Sequence, residues 1–240
     1  MPVPDVSNVV TEDDTPVDNL FSEKQMRLLT ESLHSSWHPG FSFVAMANVG
    51  LYVALNRPVV VPDVLVTTQV TQHQDLWQKD HRSYFTWVYE GKVPDIVVEI
   101  VSNTKGGELT TKKANYEHIG VQWYVVFDPA HRIQEEDLQI FCRVGSHYEK
   151  RSSLATDFGL GLQLWTGEFE DVTGPWLRWV DSSGEIVPTG KENAFKQATL
   201  ARHESERARH ESERANHESN RAGKLANKLR ELGIDPDAIG

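Results

Sequence analysis

The sequence predicts a mixed α/β (α+β) fold. Helices flank a mixed central sheet, and antiparallel hairpins follow it. Short apolar runs of β-branched and aromatic residues recur from residue 41 to residue 188. A helical segment separates two of the most apolar runs, and a strand, helix, strand order favours a parallel crossover. A seven-residue repeat then occupies the end of the chain, which is typical of a long helix.

The first periodic segment predicts a helix over residues 23–33, with Ser22 as its N-cap and apolar residues at helical spacing on one face. The preceding residues 1–20 are rich in Pro, Asp, Val and Thr and show no periodicity. We therefore expect a flexible N-terminal arm before the first helix.

The remaining elements of the core follow from apolar runs bounded by turn residues. The predicted strands are 41–47, 50–55 and 59–66 as a meander, then 84–89, 96–101 and 121–127, with a helix over 104–118 before the last of these. Two hairpins are expected beyond them, 138–144 with 147–151 and 176–180 with 185–187.

No breaker-rich linker interrupts residues 21–190, so we expect one domain there and a helical tail over 191–240. The heptad Ala-Arg-His-Glu-Ser-Glu-Arg at 201–207 recurs at 208–214 and, altered, at 215–221. Its seam is mostly Ala, which leaves a solvated helix and a weak coiled coil both open. His203, His210 and His217 lie about 10 Å apart along such a helix, too far to share one metal ion.

The composition limits the function classes. The single cysteine, Cys142, cannot form an internal disulfide, which favours a reducing compartment such as the cytoplasm. No secretory signal is visible, and the most apolar stretch, residues 41–55, is shorter than the roughly 20 residues of a membrane span. The formal net charge is −11, with −12 on residues 1–190. A nucleic-acid partner would therefore need local basic groups or a groove formed by several chains.

Two Pro-Asp pairs precede predicted strands, and they point to a metal site. Asp63 precedes one strand, Asp95 precedes another, and Glu99 lies inside the second, in the apolar run Ile-Val-Val-Glu-Ile-Val. A carboxylate buried in a strand is costly unless it is paired or binds a metal. If the two strands pair antiparallel, Asp63 and Glu99 become neighbours that could hold a divalent cation such as Mg²⁺. Asp95 lies roughly 13 Å from Glu99 along the strand and is interpreted as structural.

Structural alternatives remain for each of these residues. Glu99 could form an ion pair with a buried Arg or Lys, and Asp63 could belong to an ordinary turn. Lys112 and Lys113 on the following helix could orient a water or stabilise a phosphate, or could simply be solvated. The tryptophans Trp123, Trp165, Trp176 and Trp179 could stack on bases, although core packing is the commoner role of strand aromatics.

The ordered series of motifs resembles a bacterial restriction endonuclease family, a branch of the PD-(D/E)xK nuclease superfamily. The series comprises Pro62-Asp63-Val-Leu-Val, Trp87-Val-Tyr-Glu-Gly-Lys92, Pro94-Asp95-Ile-Val-Val-Glu99-Ile-Val-Ser102, Lys112-Lys113-Ala-Asn-Tyr116, Val121-Gln-Trp-Tyr124 and Asp128-Pro129. The likeness runs from about residue 22 to residue 190. It implies a restriction-endonuclease-like core.

The resemblance also implies the roles of individual residues. Asp63 and Glu99 would ligate Mg²⁺, or Mn²⁺, and Lys112 would supply the catalytic lysine, with Lys113 next in line. Glu31 matches a region that sometimes contributes a further carboxylate. The sequence departs from the superfamily pattern at Val101, where a lysine is expected two residues after the strand glutamate.

These observations predict an Mg²⁺-dependent endonuclease that hydrolyses DNA phosphodiester bonds, with DNA as partner and a homo-oligomer, most simply a dimer, as its state. The acidic body, Val101 and the repeat tail favour an alternative, a non-catalytic module of the same fold that oligomerises through its C-terminal helix. A metal hydrolase of small phosphoesters is a third hypothesis.

Overall fold

The computed structural model describes residues 19–102 and 107–233, which divide at Gly190 into two compact units. The predicted arm, 1–20, falls outside the described residues except for its last two positions, as do residues 234–240 of the predicted tail. Residues 103–106 also lie outside the described residues, and they include the first three positions of the helix predicted over 104–118.

Three α-helices and ten strands form the described chain, together with one 3₁₀ turn and one π-helical turn. The helices are α1 (Leu20–Ser36), α2 (Lys113–Ile119) and α3 (Gly190–Glu231). The short turns are a 3₁₀ turn at Lys79–His81 and a π-helical turn at Glu108–Lys112. The strands are β1 (Phe43–Ala47), β2 (Leu51–Tyr52), β3 (Val64–Thr68), β4 (Tyr84–Phe85), β5 (Ile96–Ile100), β6 (Trp123–Phe127), β7 (Leu138–Val144), β8 (His147–Arg151), β9 (Gly161–Phe169) and β10 (Val172–Val180).

The central sheet has six strands in the order β1-β3-β5-β6-β7-β8. Strands β5 and β6 are parallel and the other neighbours are antiparallel. The crossover between β5 and β6 passes through the π-helical turn and α2. The predicted mixed sheet with its parallel crossover is thus confirmed.

The sheet buries both faces, which explains why its central strands are apolar throughout. Because side chains alternate along a strand, Val64 and Val66 face the cluster that contains Leu29 and Leu33 of α1. Leu65 faces the opposite cluster, which includes Tyr116 of α2. One helix therefore covers each face of the strands that carry the candidate site.

Helix α1 begins earlier than predicted, and its cap differs. The Asn19 side chain accepts the backbone N–H of Ser22 at 2.9 Å, so Asn19 is the N-cap and the predicted cap, Ser22, lies buried in the first turn. Both residues are good caps, but the extended backbone of Asn19 places its oxygen over the free N–H groups of the first turn.

The predicted meander over residues 41–66 is wrong for its second strand, which does not join the central sheet. Strands β1 and β3 form the antiparallel pair, whereas β2 leaves the sheet and pairs in parallel with β4. Residues 59–61 make only an isolated bridge, between Leu51 and Val60. Pro58 and Pro62 flank this segment, and since proline has no N–H to donate, they limit its ladder.

The last predicted hairpin is also corrected. Strand β10 pairs along its whole length with β9, and the segment expected to pair with it makes one bridge, Val180 to Ile186. The β9–β10 turn consists of Glu170 and Asp171, which both have positive φ (46° and 64°). A turn of this conformation usually carries Asn or Gly, so the sequence contains no ordinary signal for it.

Helix α3 spans 42 residues, and none of those the structure describes is buried. The charged residues of the repeat pair within the helix, for example Arg202 with Glu206 and Arg209 with Glu213. Among the described helices, none has both the length and the apolar character that crossing a membrane requires.

Candidate active site

Asp63 and Glu99 meet through the register of two antiparallel strands. Val64 of β3 lies opposite Val98 of β5, so the residue before Val64 comes opposite the residue after Val98. The Asp63 Oδ2 atom accepts the backbone N–H of Ile100 at 2.6 Å, which fixes the aspartate against the end of β5. The structure therefore brings the two sequence-predicted carboxylates together.

Glu99 is fully buried, and both of its oxygens accept a hydrogen bond. The Lys112 ammonium donates to Oε2 at 2.8 Å, and the Tyr116 hydroxyl donates to Oε1 at 2.6 Å. Sequence reasoning did not assign a role to Tyr116. Its signal was its position four residues after Lys112, since residues at that spacing share one side of a helix.

Burial raises the pKa of the Glu99 carboxyl to about 8, and the negative charge of Asp63 acts in the same direction. The Lys112 ammonium and the Tyr116 hydrogen bond oppose the shift in the Glu99 pKa without cancelling it. For Lys112, burial lowers the pKa, but the Glu99 carboxylate more than offsets this and holds the pKa above its ordinary value. Lys112 therefore keeps its positive charge at neutral pH, beside a carboxyl whose pKa is raised above its ordinary value.

A π-helical turn sets the position of Lys112. The turn begins after Gly107, whose φ of +71° is a left-handed conformation that suits glycine, and the Lys112 N–H donates to the Gly107 carbonyl at 3.0 Å. Turns of this kind occur mostly as single turns and often at functional sites. The predicted helix is thus present over its described part, with a wider first turn than expected.

Glu108 is a third carboxylate near this lysine, and sequence reasoning missed it. Its side chain is almost fully buried, and Oε1 lies 3.4 Å from the Lys112 ammonium. The pattern offered one signal, a Glu four residues before a Lys on the same helix. No motif distinguished that pair from an ordinary surface ion pair.

The other lysine and the remaining predicted carboxylates have different surroundings. The Lys113 ammonium lies over the ring of Phe141, 3.7 Å from its centroid, in a cation–π contact. Asp95 accepts the backbone N–H of Thr68 at 2.6 Å and its hydroxyl at 2.8 Å, which agrees with the structural role expected for it.

Glu31 does not join the cluster through the contacts that the structure gives it. Its Oε1 atom accepts the Ser35 hydroxyl at 2.7 Å and the backbone N–H of Gly190, the last residue of the first unit, at 2.8 Å. Val101, at the position where a lysine is typical, is buried in the same apolar cluster as Tyr116. A lysine from the helix therefore occupies the neighbourhood that a strand lysine would otherwise serve.

Of the tryptophans considered as stacking platforms, Trp176 and Trp179 are buried in the core. The Trp179 indole donates to the Leu29 carbonyl at 2.8 Å and so ties β10 to α1. These two tryptophans are structural, which confirms core packing, the commoner role of strand aromatics, for this pair.

The donor set fits a hard divalent cation. Asp63 and Glu99 supply carboxylate oxygens, the ligands that Mg²⁺ prefers, and Mg²⁺ often takes only one or two from the protein and keeps several waters. Within 19–102 and 107–233, no three His, Cys, Asp or Glu side chains stand close enough to hold a metal ion together. A cation here would therefore complete its coordination with water or substrate oxygens.

The mixed sheet, with its parallel crossover and flanking helices, is consistent with a restriction-endonuclease-like core. The comparison with family models agrees. The model of the Uma2 family, described as "Putative restriction endonuclease", matches residues 3–165, and the chain belongs to this family. No curated protein matches the chain.

Proposed function

We propose that the protein is an Mg²⁺-dependent endonuclease that hydrolyses DNA phosphodiester bonds, and that Mn²⁺ can replace Mg²⁺. The observation that carries the proposal is the convergence of Asp63, Glu99 and Lys112, with 2.8 Å between the lysine ammonium and the Glu99 carboxylate. Membership of a restriction endonuclease family supports the nuclease class.

Each residue would have a distinct task. Asp63 and Glu99 would hold the cation, which when bound lowers the pKa of its water and stabilises charge on the phosphate. Lys112 would orient the attacking water or the scissile phosphate through its N–H donors, since its ammonium stays charged. Tyr116 fixes the orientation of the Glu99 carboxyl by its 2.6 Å hydrogen bond.

The acidic body bears on how DNA would bind. Residues 1–190 carry a formal charge of −12, so the cation and Lys112 must offset repulsion of the phosphates locally. We propose a cytoplasmic protein, because its one cysteine, Cys142, is free.

The same contacts of Glu99 are compatible with a purely structural ion pair, and that alternative predicts a different experimental result. Lys112 and Tyr116 already satisfy the buried carboxyl, as they would in a purely structural ion pair. A structural pair requires no bound cation and no activity, whereas the nuclease requires both.

The test compares Glu99→Gln and Lys112→Met with a matched control, Lys113→Met, which removes a lysine one position along that packs on Phe141. Supercoiled, linear and single-stranded DNA, and a chromogenic small phosphodiester, are incubated with Mg²⁺ or Mn²⁺. We expect cleavage of DNA by the wild type and by the control, and a loss of roughly 100-fold or more in the two site variants. Intact DNA with folded wild-type protein would contradict the nuclease proposal, and cleavage of the small diester alone would favour the small-substrate hydrolase.

A second candidate function is assembly through α3, and the lack of any buried residue along this helix favours it. Small residues recur along one side at alternating spacings of four and three, the pattern of a heptad seam: Ala201, Ser205, Ala208, Ser212, Ala215 and Ser219. Arginine flanks one side of this seam (Arg202, Arg209) and glutamate flanks the other (Glu204, Glu211). In a parallel pair of helices these opposite charges meet, whereas in an antiparallel pair like charges meet. We therefore propose a parallel homodimer of the helix.

The test uses the full chain. Reversing Arg202 and Arg209 to Glu is expected to make the molecule monomeric in light scattering over a concentration series. The matched control reverses Arg207 and Arg214, which lie on the outer side of the same heptads. A wild-type chain that is monomeric at every concentration, or a control that dissociates equally, would exclude this mode of assembly.

A further inference from the structure

The Glu99 carboxyl has no unoccupied oxygen in the described structure. Lys112 holds Oε2 and Tyr116 holds Oε1, and the glutamate itself has no exposed surface. Of these two partners Tyr116 is buried, whereas about a third of the Lys112 side chain is exposed. The lysine ammonium is therefore the more movable partner, and a cation that binds Glu99 meets it first.

A divalent cation and the Lys112 ammonium would compete for the same carboxylates. Two positive charges a few ångströms apart in a largely buried site repel each other strongly, because little solvent screens them. The Lys112 ammonium contacts the Glu99 and Glu108 carboxylates, and the charge of Asp63 also acts on it, so the cluster has the negative charge to accommodate both cations. Binding of both cations requires a second position for the Lys112 ammonium, away from Glu99.

Glu108 provides such a place. Glu108 is 5% exposed, its Oε1 atom is 3.4 Å from the Lys112 ammonium, and its buried Oε2 atom has no hydrogen-bond partner among residues 19–102 and 107–233. A buried acceptor without a donor is costly, and an ammonium carries three N–H donors, only some of which Glu99 engages. Because Glu108 and Lys112 lie four residues apart on one turn, rotation of side-chain bonds alone could strengthen their contact.

We propose that Glu108 is a positioning residue that receives the Lys112 ammonium when a divalent cation binds to Asp63 and Glu99. The inference rests on the proposed function, because it requires the cation. Glu108 does not ligate the ion in this scheme. It keeps Lys112 beside the site, where the lysine acts on water or phosphate, and it lowers the cost of moving the lysine off Glu99.

The experiment is a double-mutant cycle measured by calorimetric titration of Mg²⁺ into the full chain, without any assay of cleavage. The four proteins are the wild type, Glu108→Gln, Lys112→Met and the double variant. We expect Glu108→Gln to weaken Mg²⁺ binding about tenfold when Lys112 is present, and to change it less than about twofold in the Lys112→Met background.

A second readout follows the lysine directly. In protein labelled at the lysine ε-carbon, the Lys112 resonance is expected to shift on addition of Mg²⁺ in the wild type and to respond differently in Glu108→Gln. The Lys113 resonance, over Phe141, serves as the internal control. If Glu108→Gln does not fold, Glu108→Asp replaces it, since the shorter acid keeps the charge but cannot reach the same ammonium position.

The outcomes separate the two proposals. Equal weakening by Glu108→Gln in both backgrounds would mean that Glu108 acts on the cation itself or through its charge alone, and would overturn the inference while leaving the nuclease proposal intact. An absence of Mg²⁺ binding in the wild type, with or without an uncleavable DNA analogue, would overturn both.

Discussion

In the proposed nuclease, Glu99 would connect cation binding to pH, because a carboxyl with a pKa of about 8 must lose a proton before it can serve as a metal ligand. The pKa is raised, so the protonated form predominates below it and competes with the cation there. We predict that binding of Mg²⁺ or Mn²⁺ weakens as the pH falls from 8 to 6, and that about one proton is released for each ion bound at the lower pH.

The magnitude follows from the fraction of Glu99 that is ionised. With a pKa of about 8, roughly 50% of the carboxyl is ionised at pH 8, roughly 10% at pH 7 and roughly 1% at pH 6. The apparent binding constant should therefore fall about 50-fold across this range, or about 2.3 kcal/mol. A carboxyl with its ordinary pKa would be almost fully ionised throughout, and its contribution would be close to constant.

The assay is calorimetric titration of Mn²⁺ at pH 6, 7 and 8, repeated in two buffers with different ionisation enthalpies to count the released protons. Glu99→Gln, which has no such proton to lose, is expected to show no binding or only weak binding without this pH dependence. An affinity that stays constant between pH 6 and 8 while the site binds Mn²⁺ through Glu99 would refute the reasoning.

Three further perturbations test contacts around the site and in the core. Tyr116→Phe removes the hydrogen bond to Glu99, so it should raise the Glu99 pKa further and move the pH midpoint of Mn²⁺ binding upward; an unchanged midpoint would argue against that contact. Asp128→Asn weakens a buried carboxylate that accepts three backbone N–H groups, and it should cost about 2 kcal/mol of unfolding free energy in urea titrations without changing Mn²⁺ affinity. Gln25→Leu leaves the buried N–H and C=O of Leu177 without partners, and thermal and urea unfolding should report a loss of roughly 2–4 kcal/mol; a loss under 1 kcal/mol would show that the two groups find other partners.

The neighbourhood of Asp63, Glu99 and Lys112 could be predicted because it depends on strong patterns. Glu99 lies in an otherwise apolar strand, and a buried carboxylate needs a charged partner or a metal ion. Antiparallel pairing of the strands then determines that Asp63 lies beside it. The ordered motif series supplied the lysine, which no periodicity could have chosen over its neighbour Lys113. The two lysines differ in the direction of their side chains from the helix: Lys112 contacts Glu99, whereas Lys113 packs over Phe141.

The parts that could not be predicted depend on conformations that leave little trace in the sequence. The positions of Glu108 and Tyr116 beside Lys112 and Glu99 follow a π-helical turn, and such turns have no residue signature comparable to a proline or a cap. The Glu170–Asp171 turn lacks the usual Asn or Gly, yet Lys24 and Arg27 of α1 both contact the Glu170 carboxylate and hold the turn in place. Tertiary contacts, rather than local propensity, thus determine that hairpin.

The wide turn at Glu108–Lys112 has a consequence for how this chain can change over generations. Removing one residue before Lys112 would close the π-helical turn to an ordinary α-helical one and rotate the lysine about 100° around the helix axis, away from Glu99. Substitutions on the outer side of α2 would leave that direction intact. Length in this short segment is therefore under stricter constraint than residue identity, and natural variants should differ here by replacement far more often than by insertion or deletion.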